Sequence, residues 1–407
     1  MIYLAILGHG VVGSGVAQLL RKNAESIAHK AAQPLQVKRI LDLREFPDLP
    51  YAELFTKRFE DIESDPEIRI VVETMGGLTP AFDYVKRCLL AGKSVVTSNK
   101  ELVAARGAEL LALAKEQGLN FLFEASVGGG IPILRPLDQC LAANEVSEIA
   151  GILNGTTNFM LTRMIEDDMP FEEALALAQQ LGYAERDPSA DIDGADACRK
   201  ACILASLAFG RHVYPEQVHT EGIRGITRQD VRCADAAGGA VKLIGRAARQ
   251  PDGRLQVLVA PMVVRKTSLL ASVRDVFNGI AVRGDAIGEV MFYGRGAGKM
   301  PTASAVVADV IDEAKHLSAR KYLFWGPGSP DYVAPYEGYA NAWLLRIAPV
   351  PEVEAKAFAA FGAIRPVSGL PEGEWACVTP AMTGAALEAA IAASGLTVRS
   401  RLRVADL

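Results

Sequence analysis

Cysteine is scarce in this chain of 407 residues: six occur, at positions 88, 140, 198, 202, 233 and 377, with no CxxC pair. Cys198 and Cys202 lie one helical turn apart and read as small buried hydrophobes of a reducing cytosol. An excess of positive charge is also missing. With 43 Lys and Arg against 48 Asp and Glu, and a net charge of -5, no basic stripe is available for a phosphate backbone, so nucleic acid is not an expected partner. No apolar run is long enough to cross a bilayer. The N-terminus "MIYLAILGHG" lacks a cationic leader and a cleavage site. These absences leave a cytoplasmic protein without a membrane partner as the expectation. No fixed-period repeat or low-complexity tract is visible. The composition that remains, 50% hydrophobic and 22% charged, suits a globular chain long enough for two or three domains.

The first 130 residues alternate strand-like and helix-like segments. "IYLAIL", "LQVKRILDL", "IRIVVET", "KSVVTS" and "NFLFEAS" read as strands, with helical sequence such as "VVGSGVAQLLRKN" nearby. That alternation predicts an α/β fold with a doubly wound parallel sheet. From Gly128 the texture changes to helix-rich sequence, notably "FEEALALAQQLGY" and "ADACRKACILASLAFG". The strand-like "RLQVLVAPMVV", "FNGIAVRG" and "IGEVMFYG" follow, giving an α+β middle domain. A long helix is expected after "GRGAGK", and "WGPGSPDYVAPYEGY" reads as a linker. The last segment holds strand, helix, two strands, helix and strand. The resulting division is 1–128, completed by 299–320, then 129–298, a linker over 321–340, and a small domain over 341–407.

"GHGVVG" places Gly8, Gly10 and Gly13 between a predicted strand and a predicted helix. Gly8 permits a tight turn, Gly10 admits a pyrophosphate to the backbone, and Gly13 lets the helix pack on the strand. The helix N-terminus adds unpaired N–H groups and a positive dipole end. The competing reading is a strand-to-helix turn without ligand. Asp42, near the end of the second strand, is a candidate acceptor for a ribose 2′-hydroxyl, and Arg44 for a 2′-phosphate. Both equally read as solvated loop charges, which leaves the choice of dinucleotide open. Lys100 follows a strand at the sheet's carboxyl edge, where ligands bind, although a lysine there is often only a surface charge. In "FEASVGGGIP", Glu124 with inward-turned carbonyls suits a hard cation, or else the segment is a crossover between domains.

The stretch "YAERDPSADIDGADACRK", from Tyr183 to Lys200, carries five carboxylates. An EF-hand reading fails, because the last ligand position falls on Lys200. Asp196 and Lys200 form an i,i+4 pair on one helical face, yet the flanking positions are apolar. A partly buried lysine beside carboxylates has a tunable pKa suited to acid–base chemistry. A buried structural ion pair is the alternative.

"ALAQQLGYAERDPSADIDGADACRK" resembles the signature of homoserine dehydrogenases at Ala178, Gly182, Tyr183, Asp187, Pro188, Asp191, Gly194, Asp196 and Lys200. The resemblance extends to "GHGVVG", "TSNKELVA", "EASVGGGIPI", "GILNGTTNFML" and "GRGAGKMPTASAVVAD", spanning residues 1 to about 320. It implies a Rossmann-type nucleotide-binding domain, an α+β substrate and dimerisation domain, and a C-terminal βαββαβ ACT-like domain. The implied reaction is NAD(P)-linked interconversion of L-homoserine and L-aspartate 4-semialdehyde, in threonine and methionine biosynthesis, by a homodimer or homotetramer. Cofactor contacts carry over to Gly8, His9, Gly10, Val11, Val12, Gly13, Met75, Lys100, Gly182 and Gly298. Substrate acids fall on Glu185 and Asp196, and the proton-transfer lysine on Lys200, with Asp191 close by and Lys100 a second essential cation. A sodium site, structural rather than chemical, falls on Glu124 and the carbonyls of Val127, Gly129 and Ile131.

Two departures from the family pattern are visible. Leu43 stands where an arginine is common, a lean toward accepting NAD. Glu352 stands where the ACT-like loop usually has glycine, so weakened threonine feedback is expected, with the module kept as a dimerisation surface. A semialdehyde dehydrogenase would need an activated cysteine with histidine nearby, and neither His212 nor His219 supplies one. An amino-acid-sensing protein with a non-catalytic Rossmann domain is the other alternative, and it has no need of Lys100, Glu185, Asp191, Asp196 and Lys200 together.

Overall fold

Apolar runs too short for helices build the first sheet: β1 (Ile2–Leu7), β2 (Leu35–Leu41), β3 (Phe55–Thr56), β4 (Ile68–Glu73), β5 (Ser94–Thr97) and β6 (Phe121–Leu122). In the computed structural model, which describes residues 1–321 and 323–407, these strands pair in the order β3-β2-β1-β4-β5-β6. Every pairing is parallel. Ile70, Val71 and Val72 are all fully buried, so both faces of β4 are covered, which explains why it reads as a continuous apolar run. The Val11–Lys22 helix covers one face together with the distant Lys299–Lys315 helix. A Cβ at Gly15 would lie 2.9 Å from that of Ala303, and Val16, Leu20, Val306 and Val310 share one core with Leu4 and Ile6.

The chain divides into two units: Met1–Glu145, Cys202–Pro215 and Gly294–Ser329 form the first, and Val146–Ala201, Glu216–Tyr293 and Pro330–Leu407 the second. The expected fifth strand is reduced to Phe121–Leu122, after which the chain turns through Glu124–Ser126.

In the second unit the strands are β7 (Val146–Ile152), β8 (His219–Thr220), β9 (Gly239–Arg249), β10 (Leu255–Arg265), β11 (Phe277–Gly284) and β12 (Gly288–Arg295). The C-terminal segment adds β13 (Ala340–Ile347), β14 (Arg365–Pro366), β15 (Trp375–Val378), β16 (Met382–Thr383) and β17 (Val398–Val404). With its helices Val353–Phe361 and Gly384–Ser394, the segment follows the expected order of strand, helix, two strands, helix and strand, with the two-residue β16 added before the second helix. It does not stand apart as a separate sheet. The strand order is β12-β11-β7-β9-β10-β17-β13-β15-β14, because β17 pairs in parallel with β10 through Met262↔Arg403 and Val263↔Val404. The module keeps its own core of Trp343, Leu345, Ile347, Ala357, Phe361 and Leu387.

The Pro- and Gly-rich segment expected as a linker is anchored at both ends. In the first unit the Trp325 indole donates to His212 Nδ1 at 2.9 Å. In the second, the Tyr339 hydroxyl donates to the Ala334 carbonyl at 2.8 Å and accepts from Val257 N at 3.2 Å. Among the described residues no helix is long and apolar enough to cross a membrane.

Glu352, which stands where glycine was expected, has φ 56° and ψ 31°, the left-handed region. A non-glycine residue there costs roughly 1–2 kcal/mol. Glu352→Gly should therefore raise the stability of the C-terminal module by about 1 kcal/mol in denaturant unfolding. An unchanged or lower midpoint would show that the strain is compensated by contacts of the glutamate.

Candidate active site

In the first unit, the glycine-rich turn has the geometry that anion binding requires. Gly8 has φ 91°, and a Cβ on Gly13 would lie 2.0 Å from the Gly8 carbonyl oxygen, so only glycine lets the helix begin so close to the strand. Nothing lies within 4 Å of a Cβ built on Gly10, and Val11 is exposed. The Val11–Lys22 helix has no side-chain cap and no acid in its first turn, which leaves its N–H groups to an incoming phosphate. Met75 closes the turn from the end of β4, with its Cγ 3.1 Å from the Gly8 Cβ position.

His9 behaves differently from its glycine neighbours. Its ring is buried among Phe46, Tyr51 and Phe55, with Nε2 3.2 Å from the Tyr51 hydroxyl. Its backbone N–H donates to Asp42 Oδ2 at 2.8 Å. Arg44 donates to the same carboxylate from its backbone N and Nε, each at 3.0 Å, and from a terminal nitrogen at 2.8 Å. The Arg44 side chain holds the Asp42 carboxyl well below the usual carboxylate range. Asp42 is thus held against the glycine-rich turn by its bonds to His9 N and Arg44, while the Arg44 side chain itself is 62% exposed to solvent.

Lys100 is the first residue of the Lys100–Glu116 helix, whose cap Asn99 accepts from Leu102 N at 3.1 Å. Asn99 also donates to the Gly77 carbonyl at 2.7 Å. Behind this edge stands Glu73, fully buried, which the sequence reading treated only as part of a strand. It accepts from Met75 N at 2.7 Å, Gly76 N at 3.2 Å and the Thr97 hydroxyl at 2.5 Å. Burial pushes its pKa up.

The Glu124 carboxylate, expected as a cation ligand, is engaged by backbone donors. Its oxygens accept from the backbone N–H groups of Ile133, Leu134 and Arg135 at 2.6, 2.9 and 2.7 Å. It caps the start of the helix that runs into Pro136–Cys140. Val127, Gly129 and Ile131 are buried, and their carbonyls accept no hydrogen bond among the described residues. Carbonyl oxygens of buried residues that lack donors are of the type a hard cation takes. Gly298 directly precedes the Lys299–Lys315 helix with φ 118°.

In the second unit the acidic stretch divides in function. Asp187 is exposed and turns the loop by accepting from Ser189 N at 3.1 Å and Ser189 Oγ at 2.6 Å. Asp193 pairs with Arg224. Glu185 is exposed on the loop that follows Gly182, and its carboxylate accepts no bond among the described residues. Asp191, Asp196 and Lys200 converge on one buried point. Lys200 is 7% exposed, and its Nζ donates to Asp196 Oδ2 at 2.7 Å and to the Leu153 carbonyl at 2.9 Å.

Asn154 completes this group, a residue quoted in the sequence motif but given no role there. It caps the Gly155–Glu166 helix by accepting from Thr157 N at 2.8 Å. Its amide then donates to Asp191 Oδ1 at 2.7 Å and to Asp196 Oδ2 at 2.9 Å. Burial first, then the Asp196 charge, raises the Asp191 pKa, against the opposing pull of Asn154 and Lys200. The Asn-Gly start of a helix was the available signal, but a cap alone does not announce that its amide reaches two distant acids.

A glycine-rich turn from strand to uncapped helix on a parallel sheet, with a sequestered lysine–carboxylate group in a second unit, fits the class of dinucleotide-dependent oxidoreductases. Comparison with known proteins supplies the family. Residues 8–124 match the model "Homoserine dehydrogenase, NAD binding domain", and residues 132–311 match the model "Homoserine dehydrogenase". The homoserine dehydrogenase of a Synechocystis species is 47% identical over 316 residues, covering 76% of this chain and 73% of its own. That of Bacillus subtilis is 43% identical over 351 residues, covering 84% and 80%. A homoserine dehydrogenase structure from Thiobacillus denitrificans superposes with TM-score 0.88 at 38% identity, covering 100% of this chain and 98% of that one. A hyperthermophilic archaeal homoserine dehydrogenase in complex with NADPH gives TM-score 0.66 at 28% identity, over 77% of this chain and 97% of its own. The chain belongs to the homoserine dehydrogenase family, and it is an NAD(P)-dependent oxidoreductase.

The raised Asp191 pKa has a definite sign. The folded state binds that proton more tightly than the unfolded chain, so stability falls as pH rises from the ordinary carboxyl pKa through the raised one. Asp191→Asn should therefore raise the unfolding midpoint at pH 7 and lose that advantage near pH 4, while lowering turnover. A midpoint gain independent of pH would contradict this origin.

Proposed function

We propose that the chain interconverts L-homoserine and L-aspartate 4-semialdehyde, with Lys200 as the proton-transfer group. The observation that carries this reading is the placement of the Lys200 ammonium, away from bulk water between the Asp196 carboxylate and the Leu153 carbonyl. A nicotinamide dinucleotide, when bound, supplies the hydride acceptor or donor. Gly8 to Gly13 and Met75 would hold its phosphate end, with Lys100 at the same sheet edge.

The chain's own task is the proton. In oxidation, neutral Lys200 takes the hydroxyl proton as the carbonyl forms; in reduction, its ammonium returns that proton to the developing alkoxide. Asp196 orients the lysine while facing the substrate ammonium, and exposed Glu185 offers that ammonium a second carboxylate. Asp191, tied to Asp196 through Asn154, adjusts the charge the lysine experiences.

Asp42 bears on cofactor choice. It already accepts four hydrogen bonds, the capacity of a carboxylate, so a ribose hydroxyl must displace one of them. The adjoining cavity of about 260 Å³ also presents Arg44 and Lys57. These features support use of either dinucleotide and weigh against a strong preference for NAD. Strand β12, at the edge of its sheet beside β11, supports self-association, and the C-terminal succession of strand, helix, strands, helix and strand supports the ACT-like reading.

Sodium is proposed on the Val127, Gly129 and Ile131 carbonyls, with Glu124 bracing the adjoining helix. Replacing sodium by a bulky organic cation at constant ionic strength should lower the unfolding midpoint; an unchanged midpoint argues against the site. For the lysine, Lys200→Ala should reduce homoserine oxidation about 10²- to 10⁴-fold while dinucleotide affinity is retained. Unchanged turnover would end the assignment and favour a sensing role.

A further inference from the structure

The start of the lysine-bearing helix is held from a side that the chemistry does not use. Arg403, on the last strand of the chain, is 4% exposed. Its guanidinium forks onto Glu221, with terminal nitrogens 2.6 and 2.7 Å from the two carboxylate oxygens. It also lies 4.7 Å from the Trp343 ring centroid and 5.3 Å from that of Tyr336, whose hydroxyl accepts a further N–H bond. Bidentate geometry between aromatic rings is a setting that lysine cannot reproduce.

Glu221 immediately follows β8, and its N–H donates to the Val259 carbonyl at 2.7 Å. His219 Nε2 lies 2.6 Å from Glu221 Oε1. Burial alone would raise the Glu221 pKa, but its bonds to His219 and Arg403 hold it near about 2, so the pair stays charged at working pH.

The next residues press on the turn that begins the Ala195–Phe209 helix. A Cβ on Gly222 would sit 2.1 Å from the Ile192 carbonyl oxygen and 2.5 Å from Asp193 Cα. Ile223 N donates to the same Ile192 carbonyl at 2.8 Å. From the other direction, a Cβ on Gly194 would meet Thr220 Cγ2 at 3.0 Å and the Glu221 carbonyl oxygen at 3.2 Å. The Gly194 carbonyl accepts from Cys198 N at 2.9 Å, a bond of the helix's first turn, which also carries Asp196. Contacts this close have no slack, so a shift of Glu221 moves the helix start.

We propose that Arg403 and Glu221 are positioning residues for the reaction: their fork sets where the helix bearing Asp196 and Lys200 begins. The C-terminal module is thereby part of the working site. The inference rests on the proposed role of Lys200, and its test is built to fail separately.

In the full-length chain, Glu221→Gln and Arg403→Lys should each lower kcat/KM for L-homoserine about tenfold while dinucleotide Kd is unchanged. Both variants can lose stability, so the double variant Glu221→Met with Arg403→Met is the control. It removes the buried Arg403 charge together with its half-exposed partner Glu221 and should fold without recovering kcat/KM. Thermal midpoints that fall while kcat/KM stays within about twofold of the parent would overturn the proposal and leave the fork a stability device. If the single variants do not fold, the double variant decides alone: parental kcat/KM overturns the proposal, and reduced kcat/KM supports it. Parental turnover in Lys200→Ala would instead mark failure of the catalytic reading.

Discussion

An ammonium group withdrawn from water inside an apolar helix must find acceptors or lose its proton, and that constraint organises the second unit. Lys200 meets it with one carboxylate oxygen of Asp196 and the carbonyl of Leu153. The Leu153 carbonyl lies where β7 gives way to the Gly155–Glu166 helix, so the lysine is tied to the chain at a strand-to-helix junction. The cap of that helix, Asn154, uses its carbonyl oxygen for the helix and its amide for two acids. One residue thus fixes a helix start and the orientation of two carboxylates. Such shared duty ties the two acids and the lysine into one buried polar network, in which Asp196 Oδ2 takes both bonds and Oδ1 is left without a hydrogen-bond donor.

The first unit shows the opposite arrangement, since its glycine-rich turn is open. No side chain caps the helix after Gly10, and the closest approach, at Gly13, is between backbone groups. The polar side chains lie around that turn rather than in it. His9 turns its ring inward and donates its N–H to Asp42, which Arg44 holds in turn. Glu73 organises the facing loop from beneath, with its carboxyl buried under Met75 and Thr97.

The parts legible in the sequence are those with a local cause. Period and turn residues located the five principal parallel strands, the glycine turn and the βαββαβ tail, because each depends on residues close in the chain. What was hidden depends on pairings across long separations. Asn154 meets Asp196 across 42 residues, and Arg403 meets Glu221 across 182. Glu124 reads as a candidate cation ligand because small residues with inward-turning carbonyls follow it. The bonds of its carboxylate to backbone N–H groups nine to eleven residues away follow from a turn that no local pattern announces. The junction of β17 with β10 was hidden likewise, since an edge strand does not declare which sheet it will extend.

The central claim is that an amine at the Lys200 position transfers the proton. It is tested most directly by supplying that amine from solution to Lys200→Ala. The account predicts that small primary alkylamines restore homoserine oxidation in proportion to concentration, with rates that follow amine basicity. No recovery with any amine, in a variant that still binds dinucleotide and homoserine, would contradict it.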